Sequence, residues 1–114
     1  MGSYAPNTYR KGLLPLIILL LLKKEDMYGY QLVKEIEART TGTIKTQEGS
    51  LYPVLFALSD AGYISEHKVV VSGRRFRLFY HLEPAGEQYL KEQVTDYQQV
   101  ADSMRQLITN CMED

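Results

Sequence analysis

Cysteine is all but missing from this chain: Cys111, close to the end, is the only one among 114 residues. One thiol can neither close a disulfide within the fold nor form a zinc site alone, which fits a reducing, cytoplasmic setting. A long apolar run is missing as well. The longest, Leu13 to Leu22, is ten residues and contains Pro15, whereas a membrane span takes about 20. It reads as a buried helix, and with no small-residue cleavage site after it, not as a secretory leader. Glycine-rich phosphate loops, metal-ligand spacings and Cys/His or Ser/His/Asp sets are also lacking. His67 and His81 stand 14 residues apart with no ligand cluster beside them, so they read as surface or strand residues. No metal, cofactor, membrane partner or enzymatic activity is expected.

Net charge is scarce too, at −1, but the average conceals an asymmetry. Residues 1–82 carry eleven Lys/Arg against seven acids, a net of +4, while residues 83–114 carry two against seven, a net of −5. A polyanion would be met by the first 82 residues, leaving the tail for another role. The apolar share of 45% is ordinary for a globular domain.

Periodicity supplies the elements. A first helix is predicted over 12–24, with Pro15 tolerated in its first turn, and its all-round apolarity implies enclosure by the rest of the domain. A second is predicted over 28–39, with Tyr28, Leu32, Val33 and Ile36 on its inner face and Thr40 to Thr43 ending it. An extended piece, Thr43 to Lys45, leads into a third helix over 47–61, capped by Thr46 and stopped by Gly62. Its buried stripe is Leu51, Leu55 and Leu58. Two strands follow, over 63–71 and 76–82, joined at Ser72-Gly73-Arg74. From Pro84 to about Met112 nothing breaks a helix. Along it Leu90, Val94, Tyr97, Ala101, Met104, Ile108 and Cys111 recur at alternating spacings of four and three, a heptad seam. Such a helix is roughly 42 Å long, longer than the preceding body covers, so part of the seam calls for a second copy.

Helix, helix, short strand, helix, hairpin and long helix make a mainly α chain with a small β-hairpin: a winged helix-turn-helix over 1–82 and a dimerisation helix over 83–114. The first ten or so residues fit an N-terminal arm. In this arrangement the third helix enters a major groove and the hairpin reaches an adjacent groove or the backbone. Gln47, Gly49 and Ser50 put small polar groups at the start of that helix, with Lys45 before it and Tyr52 and Pro53 after. Arg74, Arg75 and Arg77 place three guanidinium groups on or beside the hairpin tip, suited to phosphates or a narrow minor groove.

Three segments also carry a resemblance: Tyr28-Gly29-Tyr30-Gln31-Leu32; then Glu48-Gly49-Ser50-Leu51-Tyr52-Pro53-Val54-Leu55 with Leu58 and Ala61-Gly62-Tyr63-Ile64; then Arg77-Leu78-Phe79-Tyr80-His81-Leu82. Over about residues 10–108 the chain resembles PadR-type transcriptional regulators, most closely the short subfamily with one C-terminal helix. The resemblance implies a winged helix dimerised through the last helix and operator binding, usually repression relieved by a small molecule or stress signal. It places Gly49, Ser50, Tyr52 and Pro53 on the recognition helix, Tyr28 and Tyr30 at the opening of the second helix, and Arg74 and Arg75 on the wing. It also suggests, for some members, an effector cavity between dimer helices, for which Phe79, Tyr89, Tyr97 and Met104 are the candidates. Where the family usually has a capping Thr before the last helix, this chain has Glu83-Pro84.

Plainer roles stand beside these. Tyr28, Tyr30 and Tyr52 fit packing as well as contact, the arginines fit a solvated hairpin edge, and the seam fits a helix folded back on its own body. The four effector candidates fit simple core packing, and Cys111 reads as a seam filler. The expected function is sequence-specific binding of a palindromic operator in double-stranded DNA by a homodimer. The alternative is a winged-helix module that binds protein, which the net negative charge keeps open.

Overall fold

Leucine and isoleucine of the ten-residue run from Leu13 to Leu22 set the centre of the molecule. The computed structural model describes residues 8–113; the first seven, part of the expected N-terminal arm, lie outside them. A single turn, α1 (Thr8–Lys11), precedes α2 (Leu14–Lys24), which carries Pro15 in its first turn. Leu14, Ile18, Leu19, Leu21 and Leu22 are buried. Enclosure is not complete, however: Leu20 is 44% exposed. Neighbours cover α2 on the sides facing the other helices and the sheet, which leaves Leu20 open in a single chain, with Leu16 and Ile17 partly covered.

The strand expected at Thr43 to Lys45 is not there. That segment runs as bends and coil, and a side chain takes over part of its bonding, the Ile44 N–H donating to Thr40 Oγ1 at 3.1 Å. The third strand is instead β1 (Met27–Tyr28), directly before α3 (Gly29–Arg39). Met27 is fully buried, and pairing with Phe79 and Tyr80 holds the two residues extended. α3 buries Leu32 and Ile36 against the core.

The third major helix, α4 (Glu48–Asp60), starts one residue later than expected. Gln47, not Thr46, is its N-cap, and no side chain caps it; the Gln47 carbonyl accepts the N–H of Ser50 and Leu51. Leu51, Leu55 and Leu58 are buried, as the i, i+4, i+7 spacing predicts. Gly62 closes the helix at φ +82°, with Tyr63 N–H on the Leu58 carbonyl and Gly62 N–H on that of Ser59. This is the paired Schellman closure that favours glycine.

β2 (Ile64–Ser72) and β3 (Arg75–Leu82) form an antiparallel hairpin around Gly73-Arg74, and the sheet order is β1-β3-β2. Its inner end is anchored by buried Ile64 and Tyr80, while Val70, Phe76 and Leu78 farther out are exposed. The hairpin therefore projects as a wing.

α5 (Pro84–Met112) follows at once. In place of a capping threonine, Glu83 donates its N–H to the Tyr63 carbonyl and accepts the Ser65 hydroxyl at 2.6 Å. The first turns dock on the body: Gly86 and Leu90 are buried, Tyr89 stacks on Tyr63 with centroids 4.2 Å apart, and Glu87 pairs with Lys23. Beyond Val94 the helix leaves the body, and the molecule reaches 65 Å along its longest axis. Among the described residues no helix is long and apolar enough to cross a membrane.

Candidate nucleic-acid interface

The face of α4 turned from the leucine stripe bears Gly49, Ser50, Tyr52, Pro53 and Phe56, with Gln47 just before it. Pro53 lies inside the helix and cannot donate a backbone hydrogen bond. The Gly49 carbonyl one turn earlier therefore has no N–H at i+4, on a face open to solvent. Phe56 was not singled out from the sequence, yet it is 73% exposed. It lies i+7 from Gly49 and i+3 from Pro53, on the same face, so the helix presents an aromatic ring outward beside small polar groups.

Tyr52 combines both of the roles the sequence left open. Its hydroxyl donates to Glu48 Oε2 at 2.8 Å, and this bond, with some burial, raises its pKa above the usual tyrosine value. The bond also turns the Glu48 carboxylate towards Tyr52. The same ring leans on the start of α3, where a β-carbon on Gly29 would stand 3.2 Å from the hydroxyl oxygen. Glycine there allows the two helices their close approach.

The expected wing cations separate into two groups. Arg74 and Arg75 sit exposed at the hairpin tip, while the Arg77 guanidinium lies 4.3 Å over the Tyr28 ring. Tyr28 in turn meets Phe79 edge-on at 5.3 Å. Arg77 is thus held midway along the wing, opposite Val69, by a cation–π contact. One pair farther from the tip, Lys68 lies opposite Leu78 and 4.6 Å over Phe76, a wing cation the strand pattern did not reveal. Between wing, α3 and α4 runs a cleft of about 360 Å³ that includes Tyr28, Tyr30, Tyr52, Phe76 and Arg77. Tyr30 is exposed, with Lys34 4.9 Å over its ring. Lys45 lies on the other flank of α4, in a cleft of about 650 Å³ with Gln47 and Ser50.

The histidines are less isolated than their spacing suggested. Asp26 accepts from His81 Nδ1 at 2.7 Å and lies 3.4 Å from His67 Nε2. Strand register explains the meeting, since His81 pairs with Ser65 and His67 with Phe79, placing both imidazoles on one face. Among the described residues no group of three or more candidate ligands is arranged to hold a metal.

Of the seam residues, Leu90 is buried and Val94 and Ala101 half-buried, while Tyr97, Met104, Ile108 and Cys111 are exposed. Val100, Leu107 and Met112 add to the uncovered apolar surface. The four effector candidates are dispersed within one chain: Phe79 against Tyr28, Tyr89 against Tyr63, and Tyr97 and Met104 on exposed α5.

Residues 18–92 match the transcriptional regulator PadR-like family. A protein of Lysinibacillus sphaericus is 33% identical over 92 residues, covering 81% of this chain and 84% of that one. A transcriptional regulator from Clostridium thermocellum, 25% identical, superposes with a TM-score of 0.80 over 93% of this chain and 99% of its own. The fold is shared as well with Bacillus subtilis PadR, solved in complex with operator DNA. That protein is 24% identical, with a TM-score of 0.67 over 72% of this chain and 46% of that one. On its own motifs, its winged-helix architecture and these likenesses, the chain belongs to the PadR-like family of transcriptional regulators.

Proposed function

We propose that this chain binds operator DNA as a homodimer and represses transcription, each copy setting α4 in a major groove and its wing on the flanking backbone. The observation that carries the reading is the outward face of α4, polar at Gln47, Gly49 and Ser50, beside a wing tipped by Arg74 and Arg75. Bacillus subtilis PadR, which has the same fold, was solved on operator DNA. In the proposed pose Gln47 and Ser50 face base edges, Tyr28 a phosphate, and Arg74 and Arg75 the backbone. The apolar α5 surface from Tyr97 to Met112 pairs with its copy. Two-fold symmetry then calls for a palindromic operator with half-site centres roughly 34–36 Å apart. Since Phe79 and Tyr89 already have packing partners in one chain, an effector cavity at the paired helices would draw chiefly on Tyr97 and Met104.

Replacing Arg74→Ala together with Arg75→Ala tests the wing. Affinity should fall for all duplex sequences, and the slope of log affinity against log salt should become shallower by roughly 2. Unchanged affinity would remove the wing from the interface. The rival reading, a module that binds protein, draws on the exposed apolar Phe56, Val70 and Phe76. Binding to a protein through those groups would lack the steep salt dependence of counterion release.

A further inference from the structure

A helix seated in a major groove has a phosphate strand on each side, because the groove is about 12 Å wide and a helix with side chains about 10–12 Å across. The wing serves only one of those sides. Residues of α4 are about 100° apart around its axis, which sets Glu48 and Tyr52, lining the wing-side cleft, on a different flank of the helix, roughly 100–160° round the axis from Gln47, Ser50 and Val54. These latter three line the larger cleft, of about 650 Å³, together with Arg10, Lys11, Lys45 and the loop from Gly42. Among the described residues lining it there are three cations and no carboxylate.

We infer that this cleft is a second DNA-backbone site, in which Arg10, Lys11 and Lys45 hold the phosphate strand on the side of α4 away from the wing. The inference rests on the reading that α4 enters a major groove, and it deepens that reading by assigning the other strand. Arg10 is already oriented towards this cleft, since its Nη1 donates to the Thr43 carbonyl at 3.4 Å, tying the α1 turn to the loop that carries Lys45. A guanidinium has five N–H donors, so this bond leaves others for phosphate. From the sequence only Lys45 was legible on this flank. Arg10 and Lys11 lie more than thirty residues before it, and only the α1 turn folding back beside the loop brings them together.

Anisotropy of a labelled random-sequence duplex, titrated with the full chain between about 50 and 200 mM salt, tests the site. Replacing Arg10→Gln with Lys11→Gln should lower affinity about tenfold at moderate salt and make the salt slope shallower by roughly 2. Lys45→Gln, on a separate loop, should make it shallower by roughly 1. Lys91→Gln with Arg105→Gln removes the same charge from α5 and should leave the slope as it is. Wild-type slopes in both the Arg10/Lys11 and Lys45 variants would overturn the inference while leaving α4 and the wing as the interface. Equal losses in the α5 control would also overturn it, by reducing the effect to net charge. If the wild-type chain bound no duplex at low salt, the underlying reading would fail and this one with it.

Discussion

At Asp26 one carboxylate meets two imidazoles, joining the α2–β1 connection to the wing base. The hydrogen bond to Asp26 holds the His81 imidazole above its ordinary pKa of 6.5, its slight burial opposes this, and the Asp26 and Glu83 charges add to the rise. A histidine whose pKa is raised on folding stabilises the native state fully below its unfolded pKa, and the contribution is lost as pH rises through the folded value. Thermal stability should therefore decline as pH climbs from about 6.5. The decline is shallow, since both partners are well exposed and screened. In Asp26→Asn, NMR titration should find His81 returned towards its ordinary value; a titration identical to wild type would remove Asp26 as the cause. Nothing in the local sequence announced this triad, because its closest contact joins residues 55 positions apart. Leucines of α4 were legible from spacing alone. Phe56 was not, since a period marks which residues are buried and says little of what its exposed neighbours do.

Elements with a long period were the most legible. α5 has the bounds expected from Pro84 and the heptad seam, and the wing lies within a residue or so of its expected limits. β1 escaped because a two-residue strand has no period, and its extension depends on pairing with Phe79 and Tyr80 far along the chain. The cap of α4 shifted by one residue for a related reason: the Gln47 backbone closes the first turn, so no side-chain signal is needed. Gly86 is another hidden determinant. It stands in the first turn of α5, where a β-carbon would overlap the backbone carbonyl oxygen of Tyr63. In an unconstrained helix Gly→Ala gains about 1 kcal/mol. Here Gly86→Ala should instead cost about 1–3 kcal/mol, the usual range for overpacking, read as a lower urea midpoint. A raised midpoint would mean that α5 docks more loosely on Tyr63 than the geometry indicates.

Over the whole molecule, the charge asymmetry of the sequence corresponds to a spatial one. The basic residues 1–82 include the α4 face, both its flanks and the wing, while the acidic tail is the projecting α5. That division suits a body that meets a polyanion and a helix that meets its own copy, acidic along its exposed sides and apolar along one stripe. The stripe from Tyr97 to Cys111 was legible as part of a seam, whose first members, Leu90 and Val94, pack instead on the chain's own body. What covers it was not, because a heptad specifies a partner helix without naming it. Likewise the α4 face and the wing were readable as positions, whereas the second cationic flank depended on the return of the chain at Arg10.

Sedimentation of the full chain, alone and with DNA from its own upstream region, at low and moderate salt, tests the proposed function most directly. The predicted result is a dimer that binds this DNA in preference to random duplex and releases it steeply as salt rises. A dimer that ignores DNA at low salt would contradict the DNA-binding assignment, and a monomer would contradict the pairing through α5.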